Sequence, residues 1–122
     1  DVEMVAERLE KYPNMFVETA ARFGDLAGQD SEKVKKFFHS YQDRILFGTD
    51  YGNSTPIDSV SIVVQDHEIN GLEANYSRLW NYLSGSDSLI IRSQKTKGLG
   101  LSTEVLNKIY HNNASDFLKL GN

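Results

Sequence analysis

Two short apolar runs, near residues 15–19 and 44–48, stand on either side of one amphipathic helix, and this arrangement constrains the fold more than any other feature of the chain. Met15, Phe16 and Val17 open the first run, and Ile45, Leu46 and Phe47 fill the second. Each is apolar on both faces, so each belongs in a sheet covered on both sides or in a closed barrel. Consecutive strands joined through a helix run parallel. The joining helix is read from "SEKVKKFFHSYQD": Ser31 is the expected N-cap, Glu32 suits the helix dipole, and Val34, Phe37, Phe38 and Tyr41 form the buried stripe. A helix before the first strand, "DVEMVAERLEKY", puts Val2, Val5, Leu9 and Tyr12 on one face and stops at Pro13. Gly24 and "GQD" read as loop. Two parallel strands alone leave unpaired backbone groups at their edges. The chain is therefore expected either to self-associate through those edges or to form part of a larger sheet.

Beyond Gly52 the pattern loosens. "GNSTPIDS" is a turn-rich loop, and "VSIVVQDHEI" fits a strand and a helix equally well. "LEANYSRLWNYLS" reads as a short helix, and residues 89–92 as a short strand within loop. "GLG" at 98–100 lacks a full phosphate-binding fingerprint and is read as loop. Ser102 caps a final amphipathic segment carrying Val105, Leu106, Ile109, Tyr110, Ala114, Phe117 and Leu118. Asn112 and Asn113 are expected to divide it, with Asn113 capping the second helix. The chain thus reads as one domain in three stretches: βα units over 1–52, a variable insertion over 53–96, and closing helices over 97–122.

Composition excludes several classes of function. A net charge of −4 and a pI near 5.3 argue against nucleic acid and against an anionic membrane surface, which select a basic face. Without cysteine there is no disulfide framework and no thiolate zinc site, which fits the cytoplasm. No apolar run approaches the ~20 residues of a membrane span. The chain opens inside a helix with no leader, as the remainder of a longer protein would.

The chemistry concentrates in "RILFGTDYG". Asp50 follows the second strand directly, with Gly48 and Gly52 on either side of it. Read locally, it either caps the turn or presents a carboxylate to a polar cavity while the strand behind it packs in the core. Glu18, mid-strand, either meets a substrate or pairs with Arg44 or Arg22. His39, His67 and His111 are the only histidines, and none ends a predicted strand. "DHE" at 66–68 lacks metal-site spacing, and no serine has a credible histidine–acid partner.

The succession "KYPNMFVETAARF", "YQDRILFGTDYG" and "GLGLSTEVLNKIYHNNASDFLKL" resembles the C-terminal part of an amidohydrolase-related protein. The branch it is most similar to contains metal-dependent hydrolases and non-oxidative decarboxylases of carboxylic acids. The resemblance is good over 1–52 and 97–120 and weak over 53–96. It implies an α/β fold, the last two strands and closing helices of a (β/α)8 barrel that is incomplete in this chain, with the site at the C-terminal strand ends. It implies that Asp50 is catalytic and coordinates a divalent metal, zinc first among them. Arg22 and Tyr51 lie at the same mouth and are the expected contacts to a small-molecule substrate. The family's sixth strand, which carries a ligand histidine, would fall just before Asp1. A chain of this kind is expected to be inactive alone. The competing reading is a non-catalytic α/β binding or assembly module that oligomerises through its strand edges.

Overall fold

The computed structural model describes residues 1–52 and 62–120, with side chains from residue 66 in the second stretch. The first helix, α1 (Val2–Lys11), starts where the Asp1 carboxylate accepts the N–H of Glu3, and it buries Val2 and Leu9. Strand β1 (Val17–Glu18) follows, then a short helix α2 (Phe23–Ala27), helix α3 (Ser31–Ser40) and strand β2 (Ile45–Leu46). The strands pair parallel, Val17 opposite Ile45 and Glu18 opposite Leu46. That is the pairing the sequence predicts, though each strand is only two residues long.

Two local expectations are corrected here, and a choice left open between strand and helix is decided for helix. The segment around Gly24 is helix rather than loop, because Phe23, Leu26 and Ala27 are buried and tertiary packing outweighs the glycine. The cap of α3 is Asp30, whose carboxylate accepts the Lys33 N–H at 2.9 Å, so Ser31 is already inside the helix. A single 23-residue helix, α4 (Ile62–Ser84), takes in both "IVVQDHEI" and "LEANYSRLWNYLS"; Val60 and Ser61 lie outside the described residues.

After α4 comes an antiparallel hairpin of β3 (Ser88–Ile91) and β4 (Gln94–Lys97). Its turn residues Arg92 and Ser93 both have positive φ, 44° and 69°. The "GLG" segment closes the end of α4. Leu99, Gly100 and Leu101 donate their N–H groups to the carbonyls of Tyr82, Gly85 and Leu83 at 2.7, 2.7 and 2.9 Å. These acceptors include carbonyls that a helix terminus otherwise leaves unpaired.

The chain ends in α5 (Thr103–Asn107), capped by Ser102 as expected, a π-helical segment (Lys108–Asn112) and α6 (Asn113–Leu118). Asn113 does not cap α6. It is buried, and its side-chain amide donates to the carbonyls of Gln42 and Ile45 at 2.7 and 2.8 Å. The core gathers Leu9, Val34, Phe38, Ile45, Tyr82, Leu83, Leu99 and Ile109, all essentially solvent-free.

Candidate functional site

The two parallel strands end side by side, and one threonine locks them. The N–H of Thr19 donates to the Leu46 carbonyl at 3.1 Å. Its buried hydroxyl accepts the Gly48 N–H and donates to the Gly48 carbonyl, both at 3.0 Å. Replacing Thr19 with valine keeps the shape and strands both Gly48 groups, so a loss of about 1–3 kcal/mol in urea unfolding is expected. A loss within experimental error would show that the hydroxyl does not hold the strand ends. Glu18 also comes close to Gly48. A Cβ there would collide with the Glu18 carboxylate and stand 3.2 Å from the Ala20 Cβ, so Glu18 reaches across to the end of β2.

Past this lock both strands turn on a left-handed residue, Ala21 and Asp50, each with φ of 55°. Aspartate tolerates that conformation better than most residues, whereas alanine gives up about 1 kcal/mol to it. Strained backbone of this kind gathers where function holds it in place. Asp50 is exposed two residues beyond Gly48, and Tyr51 beside it is half exposed. Arg22 begins α2 and pairs with Asp25 at 3.3 Å, with both side chains largely in solvent, so the pair stabilises little. Arg22 also lines an open groove of about 760 Å³ between α1, β1 and α2, whose walls include Val5, Val17 and Ile45. Neither ion pair expected for Glu18 forms among the described residues. Arg22 is taken by Asp25, and Arg44 donates to the carbonyl of Leu9 at 2.8 Å at the end of α1, where the helix dipole favours a cation.

A second, smaller cavity of about 310 Å³ lies between the strand ends, α4 and the hairpin turn. Ala21 and Thr49 reach it from the ends of β1 and β2, Asn75 and Arg78 from α4, and Arg92 from the turn; Phe23, Leu79 and Ile91 complete its wall. The stem of Arg92 passes beside Gly24: a Cβ on that glycine would stand 3.4 Å from the Arg92 Cβ and 3.6 Å from its Cδ, ordinary contact distances. Sequence reasoning missed both arginines. The hairpin that delivers Arg92 has neither asparagine nor glycine at its turn, so no turn signature marks it. Beneath the cavity, the Tyr82 ring meets Phe23 edge-on at 6.3 Å. Tyr82 is fully buried and its hydroxyl has no partner among the described residues, so burial pushes its phenol far up. Tyr110 stacks on Phe47 at 4.2 Å, and burial raises its phenol to about 12.

Residues 1–120 match the family described as Amidohydrolase, including the 53–96 stretch where the quoted motifs carry little. The chain belongs to the amidohydrolase family. No curated protein and no solved structure matches it. Amidohydrolases are typically (β/α)8 barrels and generally metal-dependent; among the described residues of this one, the sheets are two separate two-stranded pairs and no barrel closes. No described helix is long and apolar enough to cross a membrane. Nor do the described residues of this amidohydrolase bring together three histidine, aspartate or glutamate side chains that could hold a metal ion. His39 is exposed in the last turn of α3, His67 is exposed on α4, and His111 meets Asn112 at 3.1 Å. Taken alone, the described residues do not fit a metal centre.

Proposed function

We propose that this amidohydrolase chain supplies the acid and part of the substrate wall of a site that hydrolyses or decarboxylates a small carboxylic acid. In this reading β1 and β2 are the last two strands of a barrel, and Asp50 is the acid that takes a proton or donates to a divalent metal, zinc first. Arg22 and Tyr51 contact substrate from the same rim. The observation that carries the reading is the placement of Asp50. It lies just beyond the C-terminal end of a parallel strand, on a left-handed turn matched by Ala21 at the end of the neighbouring strand. Ligands and catalytic groups of parallel α/β folds collect at such strand ends. A metal centre built from Asp50 needs further donors from outside the described residues, and the chain by itself is expected to be inactive. The test is metal content. After loading with zinc and desalting, the purified chain is expected to retain far less than one equivalent. Stoichiometric zinc that disappears in Asp50→Asn would overturn the incomplete-site part of this reading.

The sheet edges favour a second reading, an assembly module. In the parallel ladder the N–H and C=O of Glu18 point away from β2, and among the described residues they have no partner. The opposite edge, on β2, is covered by Ile109 and Asn113. A species of twice the 13.8 kDa chain mass in sedimentation, dissociated by Glu18→Pro, would favour assembly. In the backbone ladder that substitution removes only an outward-facing N–H, and Glu18→Ala, which keeps the N–H, is the control for the lost carboxylate.

A further inference from the structure

From a third cavity, between β2, α4 and the π-helical turn, we infer a binding site for a small molecule carrying a quaternary ammonium group, walled by Phe47, Tyr76, Trp80 and Tyr110. These four rings, with Ser77 and Asn81, line a hollow of about 420 Å³, within the range of ligand sites. Tyr110 stacks on Phe47 with ring centroids 4.2 Å apart and planes 25° apart, and Trp80 meets Tyr110 at 5.5 Å with its plane tilted by 58°. Tyr76 stands one turn before Trp80 on the same face of α4. Trp80 is 48% exposed and Tyr76 40%, so both rings keep area for a ligand. No charged side chain lines the hollow among the described residues, so nothing there pairs an anion or holds the phosphate of a lipid head. A flat aromatic ligand needs parallel plates, but Trp80 is steeply tilted and the parallel partner of Tyr110 is already Phe47. A compact cation accepts walls at any tilt, because every ring face carries partial negative charge. Methyl groups around that cation bury against the rings and ask for no hydrogen-bond acceptor. Glu73 lies one turn before Tyr76 and Ser77, exposed and without an ion pair among the described residues. Its carboxylate and the net charge of −4 favour the approach of a cation.

The backbone supports the assignment independently. Tyr110 occupies the middle of the π-helical segment Lys108–Asn112, a rare form that gathers at functional sites. The carbonyl of the preceding residue, Ile109, accepts the Phe47 N–H at 3.0 Å, which ties the end of β2 to that turn and holds the two rings together. The site shares no residue with Asp50, Arg22 and Tyr51 and requires neither a metal nor turnover, so zinc retention and cation binding can each fail without the other.

Choline is the probe, titrated into the chain at constant ionic strength and followed by the fluorescence of Trp80, the single tryptophan of the sequence. A saturable change is expected. The neutral analogue with carbon in place of the choline nitrogen has the same shape and should bind about ten-fold more weakly or worse. Tyr76→Leu, which keeps an apolar wall but removes the ring, should weaken choline by about ten-fold, and Tyr76→Phe should stay within about two-fold of the parent. Tyr76 is exposed on α4, and an unchanged circular dichroism spectrum shows that these variants fold. Glu73→Gln should weaken choline and leave the neutral analogue unaffected. Phosphatidylcholine vesicles present the same group on a surface and should leave the fluorescence unchanged. Absence of saturation, equal affinity for the neutral analogue, or a Tyr76→Leu variant that binds like the parent would each overturn the cation site. Vesicle binding would overturn its assignment to a free molecule.

Discussion

Gly98→Ala is expected to destabilise the fold by about 3 kcal/mol or more, a large share of the 5–15 kcal/mol that holds a domain of this size. The reason is backbone against backbone. A Cβ on Gly98 would collide with the Gly85 carbonyl oxygen, stand 2.7 Å from its carbon, and stand 3.2 Å from the Asn81 carbonyl oxygen. None of these atoms is the end of a flexible side chain, so relief requires residues 98–101 to lift off the end of α4. That movement breaks the bonds from Leu99, Gly100 and Leu101 to the helix carbonyls, each worth about 1 kcal/mol. It also withdraws Leu99 and Leu101, both buried, from the core. Urea unfolding followed by circular dichroism measures the loss. Gly71→Ala is the matched control: nothing stands within 4 Å of a Cβ there, and on the exposed face of α4 alanine should add about 0.5–1 kcal/mol. Equal effects in the two variants would refute the close approach at Gly98.

Residues whose effect is local were readable from the sequence, and residues whose effect is tertiary were not. The stripes Val2–Leu9 and Val34–Phe38 announced α1 and α3, and apolar runs separated by a helix announced the parallel pair. Asp50 was legible as a strand-end acid because strand, glycine and acid are contiguous. The α3 cap moved by one residue because Asp30 and Ser31 are both competent caps, and spacing alone does not choose between them. Residues 98–100 read as loop by composition. Their service to α4 depends on a partner about fifteen residues earlier, and only the folded chain displays it. Arg78 and Arg92 were passed over for the same reason. One sits on a helix face and the other on a turn with ordinary turn-poor residues, and nothing in the sequence brings them to a common cavity.

Asn113 shows how much a residue read as a helix cap can do when the helix is not regular. In an α-helix its N–H would bond to Ile109; here it bonds to Lys108, as the π-helical turn requires. The Ile109 carbonyl is thereby released, and it accepts the Phe47 N–H at 3.0 Å. The Asn113 side chain meanwhile donates to Gln42 and Ile45. The outward carbonyl of Ile45 in β2 and the Phe47 N–H just beyond it are thus satisfied by a helix instead of a strand, an arrangement that eases the edge problem posed by so short a sheet. Asn113→Leu keeps the volume and removes both donors, leaving two carbonyls unpaired; about 2–3 kcal/mol should be lost. Asn113→Asp should be worse at neutral pH, because a buried carboxylate would face two carbonyl oxygens with no proton to donate. Those oxygens and burial raise the folded-state pKa of the new acid above its unfolded value. The excess destabilisation is then absent below the unfolded pKa, near 3.9, grows as pH rises from it to the folded one, and is constant above that. Unfolding of both variants at pH 7 and near pH 4 should show the gap between them closing on acidification. A leucine variant as stable as the parent would mean that the β2 edge does not depend on Asn113, and an aspartate variant insensitive to pH would place its side chain in water.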